Sequence, residues 1–204
     1  MIHVVRLAAV AAALLIAPAV SAQTVEPSTP PEPPKNLPSA QGGDRTKNLD
    51  ALFAALKAAP DEDTAKAIEG RIWALWLVST SDTANLLMSR VRQAIEAKDT
   101  ELAMRLLNAI IEIRPDYVEA WNRRATLRYL QKDFGAALAD IRQVLRREPR
   151  HFGALTGLGM ILQEFGEDKS ALAAFRRATE VHPKLQKVPD MIKTLAEKVE
   201  GRDI

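Results

Sequence analysis

Apolar residues recur at helical spacing in short segments along most of the chain. The segment 48–58 places its apolar side chains three or four residues apart, on one face of a helix: Leu49, Leu52, Phe53 and Leu56. Pro60 ends this segment, because proline cannot continue a helix. The next segment, 61–78, opens with acidic residues suited to a helix N-terminus and carries a second apolar set. The pattern therefore predicts two consecutive helices at residues 44–83.

From residue 84 onward the pattern repeats with a period of 34 residues. Three prolines and three alanines keep this spacing: Pro115, Pro149 and Pro183, and Ala103, Ala137 and Ala171. Each proline disfavours a helical conformation in the residue before it and so ends a helix. Two matches in one register indicate a repeat with a period of 34 residues. A repeat of this length resembles the tetratricopeptide repeat (TPR) family, whose units consist of two helices each. The resemblance implies three repeats, at 84–117, 118–151 and 152–185.

The resemblance implies an all-α fold, a TPR-type α-solenoid of antiparallel helix pairs wound into a right-handed superhelix. It assigns a large apolar site in the first helix of each repeat to Leu87, Trp121 and Leu155. It assigns a small site, where the two helices approach closely, to Val91, Ala125 and Gly159. The turn between the helices is expected at Lys98-Asp99, Lys132-Asp133 and Gly166-Glu167. The stretches 121–126 and 149–155 are similar to parts of short exported bacterial TPR proteins.

The segments on either side of the repeats are also predicted to be helical. We expect the pair at 44–83 to be a degenerate N-terminal repeat. Residues 186–204 are expected to form a C-terminal capping helix, since Met191, Ile192, Leu195 and Val199 share one face and the other positions are mostly charged. A terminal unit needs such a polar outer face to end the stack in water.

The first 43 residues have the composition of an export signal followed by a linker. Arg6 precedes an apolar stretch at 7–17 that is too short to span a membrane, and Val20-Ser21-Ala22 offers small residues to a signal peptidase. Residues 1–22 are thus predicted to be a signal peptide cleaved between Ala22 and Gln23, the alternative being a buried helix of the fold. Residues 23–43 contain six prolines and are predicted to be a disordered linker. We expect a periplasmic or secreted protein with no stable membrane insertion after cleavage.

Composition narrows the chemistry that the chain can perform. The sequence has no cysteine and three histidines, which leaves little for a metal site or a nucleophilic triad. The formal net charge of +2 gives no electrostatic footprint for nucleic acid. We therefore expect no enzymatic activity, no cofactor, no metal and no nucleic-acid partner. The oligomeric state does not follow from the sequence.

Three arginines depart from the family pattern. Arg90 and Arg124 stand where the family prefers leucine, and Arg128 stands where it prefers an aromatic residue. Arginine is almost never buried without a partner, so these side chains either extend to the surface or pair with acids such as Asp140 or Glu119. A direct role in holding an anionic group of a partner is the functional alternative.

The resemblance also implies a binding groove on the concave face, lined by the first helix of each repeat. The candidate groove residues are Asn85, Met88, Arg92, Glu119, Asn122, Arg123, Thr126, Tyr129, Thr156, Met160 and Gln163. Such a mixture of polar groups with Met and Tyr suits a peptide or a helix. TPR domains that clamp a C-terminal carboxylate use Lys, Asn and Arg at fixed sites. This sequence has Met88, Arg92, Arg123, Gly153 and Gly157 there, which disfavours that subtype.

Two functions remain open from the sequence. The first is a protein-binding scaffold or adaptor of the bacterial periplasm that holds a peptide or helix of another envelope protein in the groove. The second is an accessory structural subunit of an envelope enzyme or transporter complex, with its contact surface on the convex side or on the N-terminal helices. Substitution of groove residues separates the two.

Overall fold

The computed structural model describes residues 45–201 of the 204-residue chain. Nine helices occupy this part: α1 (Arg45–Lys57), α2 (Glu62–Trp76), α3 (Asp82–Glu96), α4 (Thr100–Ile113), α5 (Val118–Leu130), α6 (Phe134–Arg147), α7 (Phe152–Glu164), α8 (Asp168–Val181) and α9 (Val188–Val199). The predicted signal peptide (1–22), its cleavage site and the predicted linker (23–43) lie outside the described residues. None of the helices in 45–201 is both long and apolar enough to cross a membrane.

Helices α3 to α8 form three antiparallel pairs whose turns follow the 34-residue period. Lys98, Lys132 and Gly166 each have a positive φ, between 60° and 74°, which reverses the chain after the first helix of each pair. In the first two pairs an aspartate, Asp99 or Asp133, caps the N-terminus of the second helix, and its side chain accepts a hydrogen bond from the backbone N–H of Leu102 or Ala136. The predicted all-α TPR-type solenoid is confirmed.

Small side chains at periodic positions let the paired helices pack closely. Ala103, Ala137 and Ala171 have no exposed surface. In the third repeat, a Cβ added to Gly159 would lie 2.5 Å from the ring of Phe175, which is itself fully buried. The helices α7 and α8 therefore approach each other at a point where only glycine fits.

The predicted large site is not equally buried in the three repeats. Leu155 is fully buried, whereas Leu87 and Trp121 are half-buried. The indole N–H of Trp121 donates a hydrogen bond of 2.9 Å to the carbonyl oxygen of Pro115. The guanidinium groups of Arg124 and Arg147 lie over its ring, at 4.9 and 5.4 Å from the centroid. Trp121 thus lies at the edge of the core, where its ring contacts polar groups.

The N-terminal pair α1–α2 is helical, but it packs differently from a repeat. Its core, built from residues such as Leu52, Ile72 and Trp76, also contains Phe152 from the third repeat. Val181 and Leu185, from the end of the same repeat, pack against this core. A repeat stacked before α3 would instead share its core with α3 and α4. The pair therefore reaches along the solenoid to its third repeat.

The last helix closes the C-terminal end of the stack. Val188 and Leu195 are buried and share a core with Phe175 and Leu172 of α8. Arg176 of α8 makes a two-pronged ion pair with Glu200, with distances of 2.7 and 2.8 Å. The helix spans Val188–Val199, within the predicted range of 186–204.

Candidate functional site

The N-terminal pair is held by the turns that connect one repeat to the next. Residues on either side of the periodic prolines make these contacts. One register position contributes in all three repeats, at Tyr117, His151 and Leu185, and another contributes at Arg114 and His182. A contact made once per repeat therefore spreads the attachment of α1 and α2 over the whole edge of the solenoid.

At the first of these turns, two hydrogen bonds reach the segment between α2 and α3. The hydroxyl of Tyr117 donates to the carbonyl oxygen of Leu77 at 2.5 Å. Nη1 of Arg114 donates to Oγ1 of Thr80 at 2.7 Å. Burial of the phenol raises the pKa of Tyr117 to about 12, so the hydroxyl stays protonated and able to donate.

At the second turn, aromatic packing and an ion pair hold both helices of the pair. The imidazole of His151 is fully buried and stacks on the indole of Trp76, with centroids 4.0 Å apart and planes at 10°. Arg150 forms an ion pair of 2.6 Å with Asp50 of α1, and its guanidinium lies over the ring of Phe53. This turn therefore contacts both α1 and α2.

At the third turn, a buried histidine meets the carboxylate of Glu69. Nε2 of His182 lies 3.3 Å from Oε2 of Glu69, and the indole N–H of Trp73 donates to Oε1 at 3.0 Å. The hydrogen bond from His182 lowers the pKa of Glu69 below its ordinary 4.5. The hydrogen bond from Trp73 also lowers this pKa, whereas partial burial of the carboxylate raises it. Glu69 is therefore a fixed anion on the inner side of α2.

These attachments place α2 opposite α5 and α7, and a cavity of about 420 Å³ lies between them. Its walls are mainly apolar. Five of the predicted groove residues line it: Asn122, Thr126, Tyr129, Thr156 and Met160. The other lining residues include Glu69, Trp73, Phe152, Gly153, Leu185 and Gln186.

The cavity combines apolar walls with a few polar groups. Trp73, Phe152 and Ile141 provide ring and aliphatic surface. Asn122 contributes a side-chain amide, which donates to Oε2 of Glu119 at 3.0 Å. Among the lining residues Glu69 is the one carboxylate, and no lysine or arginine lines the cavity in the described part of the chain. The site thus suits an apolar group with neutral or positive polar neighbours.

The remaining predicted groove residues lie elsewhere. Asn85 bonds the backbone of Ser79 through both amide atoms, which orders the turn before α3. Met88 is buried in the core of the first repeat, although Asn122 and Thr156 occupy the same register position in the cavity. Arg92 and Gln163 are exposed outside the cavity.

Two further groove candidates have structural partners. Glu119 is almost fully buried, and its carboxylate lies 3.1 Å from Nε of Arg123 and 3.5 Å from Nε2 of His151. Glu119 and Arg123 thus pair with each other, and neither lines the cavity. The predicted groove residues that do line the cavity belong to the second and third repeats, opposite α2.

The arginines that depart from the family pattern have two different environments. Arg124 makes a two-pronged ion pair with the buried carboxylate of Asp140, at 2.8 and 2.9 Å, and Arg128 reaches the same carboxylate at 2.7 Å. Asp140 was one of the two partners that the sequence suggested. These two arginines therefore stabilise the second repeat, while Arg90 is exposed.

Sequence reasoning missed the residues that α2 brings to the site. Glu69 and Trp73 are four residues apart and so share a face of α2, which is the signal that could have grouped them. Their distant partners gave no such signal, because His182 is 113 residues away from Glu69. Leu185 and Gln186 follow the last periodic proline and belong to no helix.

A stack of helix pairs with a 34-residue period defines a helical repeat protein. No protein-family model matches the chain. A TPR repeat-containing protein of Rhizobium etli is 41% identical over 155 residues, which cover 76% of each chain. The chain therefore belongs to the tetratricopeptide repeat family.

Solved structures share the fold at lower sequence identity. The first TPR domain of Spaghetti (RPAP3), bound to the HSP90 peptide SRMEEVD, is 14% identical with a TM-score of 0.56. This match covers 59% of this chain and 95% of that one. A crystal structure of MamA is 17% identical with a TM-score of 0.55, and covers 79% of this chain and 82% of MamA. These likenesses show that the chain has the same solenoid fold as the solved TPR structures.

Proposed function

We propose that this TPR chain is a non-enzymatic scaffold or adaptor that binds a peptide or helical segment of another protein. The observation that carries the proposal is the cavity between α2, α5 and α7. It offers an apolar interior with amide and hydroxyl groups around it, which suits an inserted apolar side chain and the polar backbone beside it. The peptide bound to the TPR domain of Spaghetti supports this use of the fold.

The charge of the cavity argues against capture of a free C-terminus. At the sites where clamp-type domains carry Lys, Asn and Arg, this chain has Met88, Arg92, Arg123, Gly153 and Gly157. Of these five, the two glycines line the cavity, and the two arginines lie outside it. Glu69 adds a negative charge to the same wall, and like charges repel most strongly where water is partly excluded. The bound segment is therefore an internal stretch of the partner.

The chemistry of the cavity also favours binding over catalysis. Its one carboxylate, Glu69, already bonds His182 and Trp73. Its hydroxyls belong to Thr126, Thr156 and Tyr129. The Thr156 hydroxyl donates to the carbonyl oxygen of Phe152 and the Thr126 hydroxyl to that of Asn122, so both protons are directed to backbone carbonyls rather than to a general base.

The proposed setting is the bacterial periplasm or the extracellular space, and the partner is another envelope protein. The support is the sequence of residues 1–22, with its single early cation, short apolar stretch and small residues before Gln23. Intact-mass analysis of the chain recovered from the periplasmic fraction tests this. A mass that starts at Gln23 agrees with export, and a cytoplasmic chain that starts at Met1 contradicts it.

Affinity recovery from the envelope fraction tests the binding site. The bait is the chain from Gln23, and the test variant combines Asn122→Ala with Tyr129→Ala. The matched control combines Arg92→Ala with Gln163→Ala, two predicted groove residues that lie outside the cavity. Circular dichroism verifies that all three chains have the same helicity.

The proposal expects one partner to be recovered by the parent and by the control, and lost with the cavity variant. Equal recovery by all three baits would contradict the cavity as the binding site. It would instead favour the accessory-subunit alternative, in which the convex face or the N-terminal helices make the contact. Loss with the control alone would move the site to the open part of the concave face.

A further inference from the structure

Two glycines one helical turn apart form part of the cavity between α2, α5 and α7. Gly153 and Gly157 belong to α7 and line the cavity. The same register positions in the second repeat hold Glu119 and Arg123, whose side chains pair with each other at 3.1 Å. The third repeat therefore has no side chain where the second repeat has two long ones, and this difference leaves room for a ligand.

The cavity beside these glycines has apolar and aromatic walls. A Cβ added to Gly153 would lie 3.1 Å from the indole of Trp73. A Cβ added to Gly157 would lie 3.4 Å from the side chain of Ile141. Phe152 also lines the cavity, and its ring meets that of Trp73 edge-on at 5.5 Å. A ligand side chain that enters here therefore buries hydrocarbon against the walls.

One charged group stands at the α2 side of the cavity. The carboxylate of Glu69 contacts Trp73 and His182, but its side chain is still 29% exposed. A protonated His182 ring would carry a hydrogen on Nδ1, which is buried and has no hydrogen-bond partner among residues 45–201. The histidine thus leaves the negative charge of Glu69 uncompensated, and within the same residues no lysine or arginine lines the cavity.

A carboxylate in an otherwise apolar cavity is complementary to a basic side chain. Lysine and arginine have a hydrocarbon stem that packs on apolar surface and a charged head that only donates hydrogen bonds. Each oxygen of Glu69 contacts one donor within the fold and can accept from a second. An acidic group would be repelled there, because water that screens the charge is partly excluded.

We propose that the segment bound in the cavity carries a lysine or arginine whose head pairs with Glu69 and whose stem packs between Trp73 and the two glycines. This inference rests on the proposed function and adds the chemistry of the partner, an internal stretch that is both basic and apolar. The apolar part of the segment covers the side of the cavity formed by Tyr129 and Met160. Glu69 is therefore a specificity-determining residue as well as an attachment of α2.

Selection from a displayed peptide library tests this preference. The probe is a random segment of about twelve residues, placed inside a carrier protein so that neither terminus is free. The bait is the chain from Gln23. It is expected to enrich segments with Lys or Arg at one position at least about tenfold over segments with Asp or Glu there.

Three variants of the bait accompany the selection. Gly157→Leu places a side chain in the cavity and is expected to abolish enrichment. Glu69→Gln is expected to select apolar segments without the basic preference, and Glu69→Asp, which keeps the charge, is expected to retain that preference. Glu112→Gln is the matched control, since Glu112 is an exposed carboxylate outside the cavity, and it is expected to select as the parent does.

A double-mutant cycle on one enriched segment locates the cation. Its basic residue is replaced by norleucine, which keeps a hydrocarbon stem without the charge, and fluorescence anisotropy gives the dissociation constants. We expect the replacement to weaken binding to the parent about tenfold, or about 1.4 kcal/mol. Binding to Glu69→Gln is expected to weaken less than about twofold, because the partner of the charge is already absent.

The possible failures separate this inference from the proposed function. Segments enriched without a basic preference, or a preference that Glu69→Gln retains, would overturn the inference and leave the cavity as the binding site. Equal loss of binding by Glu69→Gln and Glu69→Asp would also overturn it, because Glu69 would then have only a structural role. No enrichment by the parent, or undiminished enrichment by Gly157→Leu, would contradict the proposed function itself.

Discussion

The three repeats and the N-terminal pair are made of the same element, two antiparallel helices, but different positions hold them in place. Within the repeats, small residues such as Ala137 and Gly159 lie between the helices and recur every 34 residues. The pair α1–α2 has no such recurrence of its own. It is fixed by side chains at the turns between repeats, including His151 and His182.

This difference shows how one sequence period can serve two purposes. The positions inside each repeat build the stack, whereas the positions beside the periodic prolines build a second surface along its edge. The N-terminal pair uses that surface, and in doing so it forms a wall of the cavity. The cavity is therefore built jointly by two of the repeats and by the helix pair that precedes the three repeats.

The largest expected effect is on the N-terminal pair. Trp76 is almost fully buried and stacks on His151, so we expect Trp76→Ala to cost about 3–5 kcal/mol in the transition that unfolds α1 and α2. Urea denaturation followed by circular dichroism measures this. Trp121→Ala is the matched control, and because its ring is half-buried we expect about 1–2 kcal/mol. Equal losses from both variants would contradict the docking of the pair.

A smaller effect is expected inside the stack. A Cβ at Gly159 would lie 2.5 Å from the ring of Phe175, so Gly159→Val must displace a buried side chain and is expected to cost about 3 kcal/mol. At Gly135 there is nothing within 4 Å of an added Cβ, and Gly135→Val is expected to change stability by less than about 1 kcal/mol. The melting temperatures of the two variants check the difference. A parent-like melt of Gly159→Val would show that the helices do not meet there.

The smallest effect concerns pH. The folded protein holds the pKa of Glu69 below 4.5, so its ionised form stabilises the fold above that pH, and this contribution is lost as the pH falls through the lowered pKa. We expect Glu69→Gln to lose no more than about 1 kcal/mol at neutral pH and to flatten the fall in stability below pH 4.5. Urea midpoints measured across acid pH test this, with the exposed Glu112→Gln as control. An unchanged dependence of stability on acid pH would show that Glu69 does not help to hold the N-terminal pair in place.

The sequence predicted the stack more completely than the site. The spacing of Pro115, Pro149 and Pro183 was sufficient to predict the 34-residue period. The period in turn predicted the fold class, because each repeat in such a stack contacts mainly its neighbours. The face of α5 was also predictable, and Asn122 and Tyr129 do line the cavity. These are features that local spacing encodes.

The other features of the site, above all the position of α2, depend on contacts between segments that are distant in the sequence. Periodicity gives Met88, Asn122 and Thr156 the same register, but only the last two lie opposite α2. Nothing local to Glu69 or Trp73 indicates that the helix carrying them turns back toward the third repeat. That placement follows from the shape of the edge, and above all from the fit of Trp76 against His151 and Phe152.

The most direct test of this docked arrangement is amide hydrogen exchange of the unmodified chain, measured by mass spectrometry. A helix pair of this length has little stability in isolation. If α2 forms the wall of the cavity, its amides at 62–76 are expected to be protected to an extent similar to those of α7 at 152–164. Exchange of 62–76 at the rate of an unstructured peptide, with α3 to α8 still protected, would contradict the docked pair and the cavity it builds.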